Sequence, residues 1–570
     1  MLIASTAIES CAIDALRMSE FARWSFNMPE VATAIDPLAP WTRSPLGAIV
    51  EERSRIEGDR TFLYFRDQEI SFRQFDEAAN RVANGLAARG VKKGDKVAIM
   101  LPNCPEFLYT VFGAAKLGAV EVPLNTGLRG NLLQYILNHC DASLLVLGEE
   151  FLDQICFVAP DLTCLEHIVL RGDSLQRTKK PAWRFSTTCL HELMEHRADP
   201  PAVEVRHSDL FAIIYTSGTT GPPKGVMLPH HHVFYIAQQR QQRMKIARDE
   251  VLYTCLPLFH NNAQFITATT AWICGAQLAL AERFSVSQFW DDIRRYRATQ
   301  FNLMGSMMTA LYKQPPSTKD ADHCARLTIA VPVPAEIYHE FEQRFHVTIV
   351  EGFGMTEAVP VLFNSPEARK PTSCGLPICG FDAMVVDEDD REVPPGTLGE
   401  LVFRPTQPFS MMTGYYKMPE ETLHAFRNFW FHSGDLMKRD EAGYFYWVDR
   451  KRDSIRRRGQ NISSWEVETV VNSHPDVVDS AAVAVPSEMT EDDLKVVLVL
   501  KPGSKLTPEA LVDYLVPRLP RYALPRYIEF AEDLPRTATM RIQKYVLRAN
   551  WRTPGTWERK EAMPRREAVR

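Results

Sequence analysis

YTSGTTGPPKG, residues 215–225, is the stretch from which the rest of the chain is best read. It continues the apolar run Phe211 to Tyr215, so a strand leads into a turn bearing three glycines, the hydroxyls of Thr216, Ser217, Thr219 and Thr220, and the cation Lys224. Glycines let successive backbone N–H groups form a concave nest for an anion, and hydroxyls and an ammonium add further donors. The pattern is not a Walker A loop, because Lys224 is followed by Gly225 rather than Ser or Thr. A plain surface turn would explain the glycines but not the hydroxyls and the lysine beside them. The reading is a phosphate-binding loop at the end of a strand.

Working outward, the neighbouring segments alternate strand and helix. Ser71 and Gln74 have the spacing of a capping box, Phe72, Phe75, Ala79, Val82 and Leu86 recur at helical spacing, and Gly90 follows. Val97 to Leu101 predicts a strand, and Pro102 to Pro105 leads into a helix ending near Gly118. From Ala383 the texture changes to short strands and turns, with the acidic run Asp387 to Asp390 as a solvated hairpin tip. The charged junction DRKRDSIRRRG, residues 449–459, precedes a last segment with strands at Ala481 to Val485 and Val496 to Leu500. The expected fold is α/β. A large N-terminal domain of mixed α/β sheets spans 46–450, after an extension over 1–45, and a small mobile C-terminal α+β lid domain spans 451–570.

A chain of 570 residues exceeds one ordinary hydrophobic core. With 45% apolar residues, 24% charged residues and a net charge of -6, it carries no electrostatic footprint for nucleic acid. Its eleven cysteines form no C-x-x-C pair, which points to a reducing, cytoplasmic setting. No run reaches the ~18 apolar residues of a membrane span. His230 to His232 are read as the start of the helix after the loop rather than as metal ligands, because consecutive residues point different ways on a helix.

The loop, EGFGMTE at 351–357, FHSGDL at 431–436 and the DRKRD junction together resemble the motifs of the adenylate-forming superfamily of acyl-CoA synthetases, peptide-synthetase adenylation domains and beetle luciferases. The wording at Gln314 to Pro316 and from Val448 to Glu468 is most similar to the crotonobetaine/carnitine-CoA ligase branch. This resemblance implies an AMP-forming acyl-CoA synthetase of fatty acid metabolism type, using ATP, Mg2+, coenzyme A and a small carboxylic acid; oligomeric state stays open, a homodimer being one reading. It implies that Thr216, Ser217, Gly218, Thr219, Thr220, Gly221 and Lys224 hold phosphates, and that Gly352, Phe353 and Gly354 bring an aromatic face to adenine. Thr356 would sit near the α-phosphate, Glu357 would hold Mg2+, and Asp435 and Arg450 would hold the ribose. His260 and Asn261 in PLFHNNAQ would line the acyl pocket, with Phe301, Gly305, Val331 and Pro332. Arg452 would be the hinge, and Gly459 would let pantetheine pass.

Three departures from the family pattern stand out. AVPVP at 330–334 replaces a glycine-rich turn, and Arg458 replaces a glycine. In LPRTATMRIQKYVLR, residues 534–548, Arg541 stands where the family's catalytic lysine is expected, keeping the charge on a larger fork. Lys544 matches a different position and is not assigned catalysis. Two rival readings follow, transfer of the acyl group to an amine or carrier protein and a binding-only pseudoenzyme.

Overall fold

The structure is a computed structural model and describes residues 36–172, 183–216, 222–331, 333, 337–450, 454–457, 460–487, 491–535, 542 and 544–559. Asp36 to Trp41 belong to a unit separate from the rest, and Ala39–Trp41 within them is a single 3-10 turn. All that follows concerns the unit Thr42–Arg570.

An eight-stranded sheet carries the loop. Its order is Gly414–Tyr415, Lys224–Pro229, Leu210–Thr216, Val120–Pro123, Lys96–Met100, Leu144–Gly148, His167–Arg171 and Ser186–Cys189. The strands from Leu210–Thr216 onward run parallel, whereas Lys224–Pro229 returns antiparallel with Lys224 opposite Thr216. The glycine-rich stretch is therefore the connection of a hairpin, and the helix His230–Met244 starts only after the return strand. Leu144–Gly148 is buried at every residue, which is why the inner strands read as continuous apolar runs and not as alternation.

A seven-stranded sheet is ordered Thr348–Val350, Leu327–Ala330, Gln300–Leu303, Val251–Thr254, Gln277–Leu280, Thr61–Phe65 and Gln68–Ser71, parallel except for the last pair. The capping box is formed: Ser71 Oγ accepts from the Gln74 N–H at 3.1 Å and Gln74 Oε1 accepts from the Ser71 N–H at 2.9 Å, opening the helix Phe72–Ala88. The helix Pro105–Leu117 stops at Gly118, whose φ of 65° suits glycine.

Two smaller sheets follow, Gly352–Met355 with Ala358–Phe363 and Leu376–Pro377, and then Phe381–Val386, Gly399–Pro405, Phe431–Arg439 and Phe445–Arg450. The acidic hairpin tip is only partly solvated. Asp387 to Asp389 are exposed, but the Asp390 carboxylate turns back to within 3.7 Å of both Arg427 and His432.

The last part has its own core. The ribbon Ser454–Arg457 with Gln460–Ser463 and the sheet Val477–Pro486, Asp492–Leu500, Tyr527–Ala531 and Trp557–Glu558 pack with helices Ser464–Asn472 and Pro508–Leu515 around Val467, Val471, Leu494, Leu498, Leu511 and Leu515. Among the described residues no helix is long and apolar enough to cross a membrane.

Candidate active site

The segments singled out in the sequence meet on one cavity of about 1770 Å³. Thr216 and Lys224 reach it from the base of the hairpin, Phe353, Thr356 and Glu357 from a second hairpin, Asp435 from a third sheet, and His260 and Asn261 from the segment after Val251–Thr254. Residues 217–221 of the loop lie outside the described residues, so of the loop only its two ends are seen here.

Lys224 bonds the Glu421 carboxylate and stands over the Tyr415 ring, 4.9 Å from its centroid. Tyr415 also donates from its hydroxyl to Glu357 Oε1 at 2.8 Å. Burial first, and then the neighbouring Glu357 charge, push the Tyr415 hydroxyl far up, so it stays a proton donor. One tyrosine thus fixes the Glu357 carboxylate and flanks the lysine.

Thr356 and Glu357 form the turn between Gly352–Met355 and Ala358–Phe363, and not a helix start. The hairpin closes tightly because Gly352 lacks a side chain; a Cβ there would lie 2.3 Å from the Phe363 ring. Gly354 lines the cavity beside Phe353, which is almost buried yet presents its ring to the space. Glu357 is 6% exposed, a hard oxygen donor facing the cavity, and this suits a Mg2+ ion.

Asp435 is likewise buried. The Trp447 indole donates to its Oδ1 at 3.0 Å, and its N–H donates to Ser433 Oγ at 3.1 Å. Arg450 lies directly opposite Asp435 in the antiparallel register, so the two backbones are neighbours.

His260 Nε2 pairs with Gln460 Oε1 at 3.1 Å, and Asn125 Nδ2 donates to the same oxygen at 3.3 Å and to the Tyr522 hydroxyl at 3.0 Å. Burial pulls the His260 pKa down to about 4 against the opposing bond to Gln460, leaving a neutral imidazole at physiological pH. Arg456 Nη2 donates to the Val331 carbonyl at 3.5 Å. The C-terminal core is thereby seated on the cavity through Gln460, Tyr522 and Arg456.

Two of the expected acyl-pocket residues are elsewhere. Phe301 is 1% exposed and packs edge-on against Phe289 and Trp290, away from the cavity. Side chains alternate along the strand Gln300–Leu303, so Phe301 and Asn302 cannot share a face, and Asn302 donates instead to Asn262 Oδ1 at 2.7 Å. Gly305 opens the helix Gly305–Tyr312 while the wall is supplied by Met304 and Met307. Val331 lines the cavity, and Pro332, Arg452, Gly459 and Arg541 lie outside the described residues.

His230 and His232 are buried in the first turn of their helix, where His230 Nδ1 accepts from the Leu46 N–H and His232 Nδ1 meets the Ser410 carbonyl. Lys544 donates to Ser464 Oγ at 2.6 Å and pairs with Glu468 at 2.7 Å, within the C-terminal part. Sequence reading missed Tyr415, Trp447, Gln460 and Tyr522, each a lone residue whose partner is distant in the chain.

A family model described as AMP-binding enzyme matches residues 50–416, and one described as AMP-binding enzyme C-terminal domain matches residues 466–541. The crotonobetaine/carnitine–CoA ligase of Citrobacter koseri is 32% identical over 508 residues, covering 87% of this chain and 98% of that relative. A solved double mutant of o-succinylbenzoate CoA synthetase from Bacillus subtilis, bound with its product analogue, superposes with a TM-score of 0.77 at 26% identity, covering 89% of this chain and 99% of that one. The Bacillus subtilis synthetase in complex with AMP gives 0.62 at 26% identity, covering 89% and 98%.

Proposed function

The chain belongs to the AMP-binding enzyme family and is an ATP-dependent acyl-CoA synthetase, and on that premise we propose how its residues divide the two half-reactions. In the first, a carboxylate attacks the α-phosphorus of ATP and pyrophosphate leaves. In the second, the coenzyme A thiol attacks the mixed anhydride and AMP leaves. The observation that carries the assignment of residues is the convergence of Thr216, Lys224, Phe353, Thr356, Glu357 and Asp435, from distant segments, on a single cavity.

Phe353 stacks on adenine, and Asp435, oriented by Trp447, accepts from the ribose hydroxyls with Arg450 beside it. Thr216, Thr356 and the loop Ser217 to Gly221 donate to phosphate oxygens, with Lys224 as the fixed cation. Glu357, held by Tyr415, supplies the oxygen ligand for Mg2+. When bound, that ion offsets the charge on the phosphates. His260 is neutral and lines the cavity on the acyl side, so it places no charge of its own beside the attacking carboxylate.

The small domain spans 451–570 in this reading, with the hinge at Arg452. Its orientation here fits the thioester-forming step, and two observations support this: Gln460 reaches His260, and the superposition is closer to the product-analogue form of the Bacillus subtilis synthetase than to its AMP form. Arg541 then acts in the other orientation, bringing its charge to the acid and the α-phosphate. The reaction is soluble-phase chemistry of the cytoplasm, in fatty acid metabolism.

The test is pyrophosphate release over short, medium, branched, aromatic and sterol-derived acids, each with and without coenzyme A. Acid-dependent pyrophosphate, followed by coenzyme A-dependent AMP and thioester, is expected. Pyrophosphate without any thioester would assign the acyl group to another acceptor.

A further inference from the structure

One cation on the cavity wall has no part in the steps above. Arg240 lies one helical turn after Ile236 on the helix His230–Met244, so both side chains leave the same face, and both line the cavity. The residue is only 2% exposed. Its Nη2 donates to Gln300 Oε1 at 3.0 Å, another Nη bonds the Ile266 carbonyl, and its Nε is buried with no hydrogen-bond partner. Both partners are neutral. Glu250, the acid whose field reaches Arg240, is already engaged, accepting from Arg326 Nε at 2.7 Å and from Gln300 Nε2 at 2.8 Å. Among the described residues no carboxylate forms an ion pair with Arg240. Burial pulls the guanidinium only to about 10, so it remains a cation at neutral pH.

The wall beside it is apolar. Ile236, Ile266, Met304, Met307 and Ile329 also line the cavity. A buried charge without a counter-charge is costly, and an anion in the cavity beside the guanidinium offsets that cost. Ile266, whose carbonyl Arg240 bonds, lies on the π-helix Asn262–Thr269 that follows His260 in the chain.

We infer that Arg240 is a specificity-determining residue that receives a second, distal carboxylate, so that the acid activated is a dicarboxylic acid with an apolar middle. The inference rests on the acyl-CoA synthetase reading and names the substrate class of that same site. A guanidinium suits the task, since its planar fork can give two parallel bonds to one carboxylate. The same charge repels a cationic acid, so an acid bearing a quaternary ammonium, such as carnitine, is disfavoured here. The rival is a brace that merely ties the helix to Gln300 and Ile266, and a brace does not discriminate between acids.

Steady-state pyrophosphate release decides between them, using adipate, suberate, sebacate and homophthalate against hexanoate, octanoate, decanoate, phenylacetate and carnitine. Wild-type protein is expected to favour a diacid over the monoacid of equal length by at least about tenfold in kcat/KM. Arg240→Met is expected to lower kcat/KM for that diacid by about 100-fold, the scale of leaving a buried carboxylate unpaired, while the monoacid is unchanged or improved. Arg240→Lys should recover part of the loss. A wild-type preference for monoacids or for carnitine would overturn the inference and leave the synthetase reading intact, as would an equal loss for both acid classes in the methionine variant. No pyrophosphate with any acid would instead sink the synthetase reading, and the inference with it.

Discussion

Tyr415 and Arg541 are the residues at which the proposed chemistry is most directly exposed to test. Tyr415 holds the Glu357 carboxylate from a strand 58 residues downstream, and a hydrogen bond to a charged group contributes about 1.5–3 kcal/mol. Tyr415→Phe should therefore lower kcat/KM for pyrophosphate release by about 10- to 100-fold, with a raised requirement for Mg2+ measured in a metal titration. Unchanged Mg2+ dependence would mean that Glu357 is oriented without it. Arg541→Ala is expected to remove acyl-adenylate formation, at a cost of ~2–4 kcal/mol in transition-state stabilisation, yet spare thioester formation from a supplied adenylate. Equal loss of both would give Arg541 another role. The sequence offered Arg541 because a motif surrounds it, whereas nothing local to Tyr415 distinguishes it from any other tyrosine.

Two hairpins, Leu210–Thr216 with Lys224–Pro229 and Gly352–Met355 with Ala358–Phe363, present Thr216, Lys224, Phe353, Thr356 and Glu357 to the cavity. The ribbon Ser454–Arg457 with Gln460–Ser463 meets the large part of the molecule through Gln460 to His260 and Asn125 and through Arg456 to Val331, beside Tyr522 on its own segment. These contacts exist in this orientation, so Gln460→Ala should slow thioester formation by about tenfold, a neutral hydrogen bond or two, while pyrophosphate release in the absence of coenzyme A changes little. Single-turnover assays of the separate half-reactions would check this, and equal slowing of both would place Gln460 in acid binding instead. At this scale the strands and the capped helices were legible because local spacing and caps specify them. The turn at Thr356 and Glu357 was not, since a Thr-Glu pair reads equally as a helix cap, and only the pairing of Gly352–Met355 with Ala358–Phe363 settles it.

Across the whole molecule, buried ionisable groups set how stability depends on pH. Burial raises Glu121, Glu351 and Glu466 each to about 8, while it lowers His230 to about 3 and His232 and His260 to about 4. The three glutamic acids keep protons in the folded state that the unfolded chain releases near pH 4.5, so their contribution is present below that pH and lost as pH rises through about 8. The histidines act with the opposite sign, but only below about 6.5. Between pH 6.5 and 8 the folded protein should lose on the order of 2 kcal/mol of stability per pH unit, read from denaturant midpoints, and Glu351→Gln should flatten that slope by about a third. A stability that rises with pH over this window would mean that these glutamates ionise in place. The sequence by itself determined the α/β class, the glycine-rich connection after the strand Leu210–Thr216, the order of the motifs and the arginine at position 541, because each is written in residues close together along the chain. The tertiary structure decided which side chains share the cavity. It turned Phe301 into the core by strand alternation, brought Tyr415 to Glu357 and Gln460 to His260, and left Arg240 on the wall as a buried cation. Such pairings are fixed by register and packing between segments far apart in sequence, and no local pattern encodes them.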